Sequence, residues 1–560
     1  MNTLFYGDNL DVLREHIKSE SVDLVYLDPP FNSNRNYNVL FAESDASDSD
    51  AQIHAFQDTW HWDQTAEGAF RELTGPEAED HHVPARLVTL MEALRSFLGQ
   101  NDMMAYLVMM AVRLVELRRV LKPTGSLYLH CDPTASHYLK LVLDGIFGPE
   151  RFISEITWQR TTSHGDAKRW SPVSDTILFY SKSEDFTWNP VHVPHSEEYV
   201  ASKYRHDDGD GRLYRLDNMT SPNPRPNMMY EWKGHEPPEM GWRYSRETMQ
   251  KHDDDGRIWY PDSKDKRPQF KRYLDEMSGT VIGNVWTDIA PLNSQAQERL
   301  GYPTQKPLAL MERIISASSN KGDVVLDPFC GCGTTVHASQ RLERQWIGID
   351  ITHLAIALIR SRLESAFPGI EYETRGEPAD LAGARKLAAD EPYQFQWWAL
   401  HLIGARPVGE SSGRVGKKGM DRGIDGVIRF RDDPKVEKSQ RVIVSVKAGK
   451  NITSGMVRDL VGTVDSEGAP IGVFFTMHEP TAEMRAAAVK AGMYHSKSWG
   501  RDYPRIQIIT VEEAFAGKRV DYPGMDVTMP EAPTDRIEKG SLTLPGVNAG
   551  VIKKPGKSKT

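Results

Sequence analysis

Residues 323–335 read Asp-Val-Val-Leu-Asp-Pro-Phe-Cys-Gly-Cys-Gly-Thr-Thr, a short apolar run closed by an acid, a proline and two glycines one residue apart. An apolar run of this kind predicts a parallel strand buried on both faces, with a helix beginning near Thr335. A Gly-x-Gly turn at the carboxyl end of such a strand lets backbone approach a ligand closely, which is where open α/β sheets bind nucleotides. About twenty residues on, the run Trp-Ile-Gly-Ile ends in Asp350, placed to bind two ribose hydroxyls. No lysine follows the glycines and the third glycine of the dinucleotide fingerprint is missing, so a nucleoside cofactor without a pyrophosphate fits better than a phosphate-binding loop. Taken alone, the turn reads at least as well as an ordinary tight turn.

Working outward, residues 22–31 (VDLVYLDPPF) repeat the pattern of a buried strand ending in an acid. Pro29 and Pro30 fix φ and remove two N–H donors, so Asp28 and the neighbouring carbonyls form a rigid acceptor-only array with the aromatic face of Phe31 beside it. Such an array suits an exocyclic NH₂ on a planar ring. The two motifs together outweigh the reading of either as a turn. The first strand, helix and strand, then VELRRVLKPTGSLYLHCDP and HYLKLVLDGIFG, continue the alternation of helix and buried strand.

At roughly 100 to 200 residues per domain, 560 residues imply three or four compact units. A hydrophobic fraction of 39 %, a charged fraction of 26 % and 13 Trp describe a foldable globular chain, and the net charge of −10 excludes a uniformly basic coat protein but not a local basic groove. Three Cys cannot build a disulfide framework, and no charged region followed by an apolar core opens the chain, so the expected setting is a reducing cytoplasm. The longest apolar stretch, Met103 to Val115, is shorter than a bilayer span and contains Arg113; it predicts a buried helix and no membrane role. Residues 189–283 are charged, aromatic and broken by Pro and Gly, and read as an insertion. The expected division is 1–188 and 284–366 for one α/β domain, 189–283 for the insertion, 367–379 for a linker, 380–520 for a second α/β unit and 521–560 for a disordered tail.

The ordered pieces GDN (7–9), LDPPF, EITWQR with DTILFYSK, YPTQKP (302–307), DPFCGCGTT and GIDI closely resemble the S-adenosylmethionine-dependent amino-methyltransferases of DNA, in the circularly permuted β class. The resemblance covers about 365 residues and implies a Rossmann-like methyltransferase sheet, circularly permuted, with the insertion as target-recognition lobe. It assigns the cofactor to Asp8, Thr304, Gln305, Lys306, Asp327, Phe329, Gly331, Gly333, Thr334 and Asp350, and the flipped base to Asp28, Pro29, Pro30 and Phe31. The Asp of DPPF favours adenine N6, since cytosine N4 enzymes of the family usually carry Ser there; N4 remains the alternative. Cytosine C5 chemistry needs a Cys nucleophile beside a proline, which Cys131, Cys330 and Cys332 all lack, and the last two read as small buried fillers rather than metal ligands. The partner is double-stranded DNA whose target base is extruded, gripped by the lobe, in which Arg212, Arg215, Arg225, Lys233, Arg243, Arg246, Arg257, Lys264, Lys266, Arg267, Lys271 and Arg272 are the candidate contacts; for each one alone, a solvated charge balanced by acids such as Asp253 to Asp255 is the alternative. A homodimer is a candidate assembly.

In the second unit, Asp425 precedes one predicted strand, and Ser445 and Lys447 share a face of the next. An acid with an x-x-Lys pair can hold Mg²⁺ and orient an attacking hydroxide. The pattern resembles the Mrr-like PD-(D/E)xK restriction endonucleases, which implies a restriction-endonuclease-like fold with Asp425, Ser445 and Lys447 as the site. Ser445 replaces the usual Glu or Gln, Gln396 stands where a helix often carries Glu, and Glu410 or Asp421 are candidates for the missing carboxylate. The expectation is an adenine methyltransferase fused to an Mg²⁺-dependent nuclease, the alternative a solitary methyltransferase with an inactive DNA-binding domain.

Overall fold

A computed structural model of the protein describes residues 2–30, 61–79, 81–163, 170–292, 296, 298, 300, 302, 304–407, 423–433 and 439–526. Phe31, Glu410, Asp421 and most of the expected tail, 527–560, lie outside them.

The strands anticipated from apolar runs assemble into one nine-stranded sheet. They are β1 (Thr3–Tyr6), β2 (Val22–Leu27), β3 (Leu121–Cys131), β4 (Phe152–Gln159), β5 (Ser174–Ser181), β6 (Val285–Trp286), β7 (Val324–Asp327), β8 (Gln345–Asp350) and β9 (Glu373–Arg375). Their order is β6-β4-β5-β3-β2-β7-β8-β1-β9, and only β5 runs against the others. All six residues of β2 are buried, as a strand covered on both faces requires. Alternation along β1 shows the two layers: Phe5 joins a core with the helices Asn9–His16 and Asp102–Val120, and Leu4 joins one with Thr334–Arg341 and His353–Ala366. The Met103 to Val115 stretch is the buried helix Asp102–Val120, opened by the Asn101 side chain accepting from the Met104 N–H. Among the described residues no helix is long and apolar enough to cross a membrane.

The chain leaves β2 toward β3 on one side and β7 toward β8 on the other. The order therefore reverses between β2 and β7, which opens a crevice beyond their carboxyl ends. Register levels those ends: Leu326 lies beside Val25, Asp327 beside Gly348 and Tyr6 beside Asp350.

Part of the segment read as a linker is sheet: Glu373–Arg375 pairs in parallel with β1. An edge strand needs backbone pairing on one side only, so its polar sequence carried no apolar signal. The same compact unit continues into a second sheet of β10 (Arg406–Pro407), β11 (Gly426–Arg431), β12 (Gln440–Lys447), β13 (Ile471–Thr476) and β14 (Ile506–Thr510), with β15 (Met525–Asp526) paired to β11, so strand structure runs past Asp521. Phe395 and Trp398 of helix Pro392–Leu402 pack on one face of this sheet, and Val457 and Leu460 of helix Ser454–Ser466 on the other. Arg360 joins the two sheets' helices, donating to His401 Nε2 at 3.0 Å and pairing with Glu377.

Residues 190–283 form a compact unit of their own. A four-stranded antiparallel sheet, His206–Asp207, Leu213–Asn218, Gln269–Tyr273 and Ile258–Trp259 in that order, lies with a small core of Met219, Trp232, Trp242, Met249 and Ile258.

Candidate active site and its relatives

Four neighbouring strands, β2, β7, β8 and β1, each deliver an acid to the crevice: Asp28, Asp327, Asp350 and Asp8. They line one cavity of about 800 Å³, a volume within the usual range for a ligand site. Pro29, Pro30, Thr304, Gln305, Lys306, Phe329, Gly331 and Thr334 line it too. The turn after β7 takes its shape from its glycines. Gly331 and Gly333 have φ of +49° and +75°, and a Cβ on Gly333 would come within 2.7 Å of Ile359 Cγ1. Gly333 sits behind the cavity wall as the N-cap of helix Thr334–Arg341.

The acids are held differently. Asp350 accepts from Gly331 N (2.9 Å), Thr352 N (2.9 Å) and Thr352 Oγ1 (2.8 Å), which orients its carboxylate and leaves acceptor capacity toward the cavity. Burial pushes its carboxyl up to about 6, against those hydrogen bonds. Asp327 accepts from Phe329 N (3.0 Å); burial pushes it up to about 7, with the charges of Asp28 and Asp350 adding to the effect. Asp8 caps helix Asn9–His16 through Leu10 N (2.7 Å) and accepts from Arg113 Nη2 on both carboxylate oxygens (3.0 and 2.8 Å). Arg113 Nε also donates to Asn9 Oδ1 (2.5 Å), and Asn9 Nδ2 to the Pro328 carbonyl (2.8 Å), so one guanidinium ties the turn after β1 to the turn after β7. Arg113 was legible only as a charge interrupting an apolar helix; its partner lies 105 residues away.

Asp28 Oδ2 pairs with Lys306, whereas Asp28 Oδ1 is buried without a hydrogen-bond partner among the described residues. Lys306, expected with the cofactor, therefore also braces Asp28. Cys330 and Cys332 are buried among apolar side chains, and burial pushes both thiols up.

The lobe's basic residues divide in two. Arg212 pairs with Asp275 and Glu276, Arg257 with Glu276, Arg215 and Arg272 with Asp217, Lys271 with Asp208, and Lys233 with Asp253. Arg225, Arg243, Arg246, Lys264, Lys266 and Arg267 are exposed, and none has an ion pair among the described residues.

The expected nuclease site does not hold. Asp425 Oδ1 accepts from Gln396 Nε2 (3.0 Å), and Oδ2 from Val446 N (2.6 Å) and Ser445 Oγ (3.2 Å), with Lys447 Nζ 3.6 Å away. Donors occupy the lone pairs a divalent cation would need, because Ser and Gln stand where carboxylates would supply oxygens. Among the described residues no group of three or more His, Cys, Asp or Glu could hold a metal. A family model described as NACHT-associated inactive restriction endonuclease 1 matches residues 411–514. Mg²⁺-dependent cleavage by this domain is thereby corrected to an inactive domain.

Among curated proteins, the type II methyltransferase M.EcaI of Enterobacter cloacae is 31 % identical over 366 residues, 64 % of this chain and 69 % of that protein. The StyLTI Mod subunit of a type III restriction-modification enzyme from Salmonella typhimurium is 28 % identical over 374 residues, 61 % of this chain and 50 % of that subunit. The type II methyltransferase M.HpaI of Haemophilus parainfluenzae is 29 % identical over 273 residues, 48 % of this chain and 64 % of that protein. The chain thus spans from half to just over two thirds of these relatives' lengths. A model described as DNA methylase, of the N6/N4 type, matches residues 22–361, a range that begins at β2 and closes beyond the Asp350 strand. On that match the chain belongs to the S-adenosylmethionine-dependent N6/N4 DNA methylases, fused to a distinct C-terminal domain of the inactive restriction-endonuclease kind.

Proposed function

We propose that the chain methylates the exocyclic N6 of adenine in DNA, in a circularly permuted methyltransferase domain, and that its C-terminal domain binds DNA without cutting it. One observation carries the reading of the acceptor: Asp28 Oδ1 is a buried acceptor with no partner among the described residues, next to two prolines that offer no N–H. An amino group is the ligand that satisfies such an atom, at a cost otherwise of about 1–3 kcal/mol for leaving it unpaired.

The residues present suit the cofactor. Asp350 keeps acceptor capacity for ribose hydroxyls, and the acids at the crevice suit a ligand carrying a sulfonium and an ammonium. S-adenosylmethionine supplies an electrophilic methyl on sulfur, which the amino nitrogen takes as the C–S bond breaks, losing one proton to solvent. Lys306 pairs with Asp28 and holds its carboxyl in place. Pro29 and Pro30 hold the acceptor array still, and Phe31 is assigned to stack on the base. Arg225, Arg243, Arg246, Lys264, Lys266 and Arg267, without an ion pair among the described residues, are assigned to the duplex while the base is extruded, since the six paired ones named above are already neutralised within the lobe.

Asp28→Ala is expected to abolish methyl transfer while S-adenosylmethionine still binds; an active variant would overturn the assignment. Sequencing DNA from cells expressing the chain, with modified-base detection, separates N6-methyladenine from N4-methylcytosine and reads the recognition sequence.

A further inference from the structure

A buried polar line runs through the sheet that carries the site: hydrogen bonds link three adjacent strands, and an ion pair reaches the residue after a fourth. Tyr26 of β2, which lines the cavity, lies with its hydroxyl 2.9 Å from His130 Nδ1 of β3. His130 Nε2 is 3.1 Å from Asp175 Oδ2 of β5, and Asp175 Oδ1 is 3.0 Å from Nε of Arg160, the residue after β4. His130 is fully buried, Tyr26 and Asp175 nearly so, and the Trp158 ring meets the imidazole edge-on. The Asp175 carboxylate accepts on the Nε2 side, and a His130 ring carrying its one proton there presents Nδ1 as the acceptor for the Tyr26 O–H.

The consequence falls in the cavity. With its proton committed to His130, the Tyr26 oxygen can offer only lone pairs elsewhere. Tyr26, near the end of β2, and Asp28, the residue just beyond it, both line the cavity.

We propose that the Tyr26–His130–Asp175 line is a positioning network that fixes the polarity of the acceptor pocket: it holds the Tyr26 hydroxyl turned away, so that an amino group entering beside Asp28 meets acceptors and no competing O–H. The inference rests on the base-binding reading of Asp28, and it extends that site to residues from β3 and β5. The network touches no reacting atom; it acts through the direction of one proton.

Asp175→Asn tests it, because the amide can donate to His130 Nε2. That change moves the imidazole proton to Nδ1 and turns the Tyr26 O–H toward the cavity, with the geometry otherwise kept. The expected result is a fall in kcat of about tenfold to a hundredfold, with the Kd for S-adenosylmethionine and the KM for DNA within about threefold of the original. Tyr26→Phe removes the proton at issue and also one acceptor, and is expected to lower kcat by about tenfold. In the Tyr26→Phe background Asp175→Asn should then lower kcat by no more than about twofold, since the proton it redirects is gone. A kcat for Asp175→Asn within about threefold of the original, or an equal loss in both backgrounds, overturns the proposal. Asp28→Ala run alongside separates the two readings: activity there overturns the base site itself, whereas inactivity there with full activity in Asp175→Asn overturns the network alone.

Discussion

Cofactor binding should be strongly coupled to pH, because two carboxyls at the site carry raised pKa values in the unliganded fold. Burial holds Asp327 at about 7 and Asp350 at about 6, from an ordinary value of 3.8. The folded carboxyls bind protons more tightly than those of the unfolded chain, so their contribution to stability is fully present below about pH 4 and is lost as pH rises through about 6 to 7. A cationic cofactor reverses the preference, since its charge and hydroxyls favour both carboxylates ionised. Below its pKa each such group weakens binding about tenfold per pH unit, so going from about pH 7.5 to about pH 5.5 should raise the Kd for S-adenosylmethionine about a hundredfold, or about 2.7 kcal/mol. Near pH 6.5 about one proton should be released per cofactor bound. Titration calorimetry in two buffers of different ionisation enthalpy measures the Kd and the proton count together. Asp350→Asn removes the lower of the two titrations and should shrink the change to about 25-fold. A Kd that moves less than about threefold across the range, with heats independent of buffer, refutes the electrostatic account of the site.

Two further outcomes are expected. Arg113→Lys replaces the Nη2 contact with both Asp8 oxygens and the Nε bond to Asn9 by one flexible ammonium, and should weaken cofactor binding about tenfold; calorimetry showing an unchanged Kd would remove Arg113 from the site. Asp425→Ala strands the Gln396, Ser445 and Val446 donors and should lower the stability of the C-terminal domain by about 2–4 kcal/mol in urea unfolding, while Mg²⁺ induces no cleavage before or after the change.

The two halves of the site were legible for the same physical reason. Strands buried on both faces read as unbroken apolar runs, and an acid with Pro or Gly after such a run marks a carboxyl edge. Asp28 and Asp350 stand out in this way, and the glycines of 331 and 333 show in the structure the left-handed backbone that their residue type permits. Asp425, Ser445 and Lys447 were equally legible as a cluster and are close in space, yet their chemistry was misread. A metal site depends on which lone pairs remain open, and Val446 N, a backbone donor indistinguishable in sequence from any other, fills one of them.

What the amino-acid sequence determined by itself was the local and the nearly local: buried strands, their acidic ends, the glycine turn, and an aromatic, basic insertion. Those follow from residue type and spacing, which act within a few residues of each other. Only the tertiary structure decided that β2 and β7 are neighbours, that Asp28 meets Lys306 from 278 residues away, that Arg113 joins two turns, that half of the lobe's selected cations are spent on its own acids, and that Tyr26, His130, Asp175 and Arg160 come into line. Strand order and side-chain pairing are set by how the whole core closes, and no short window of sequence contains that information.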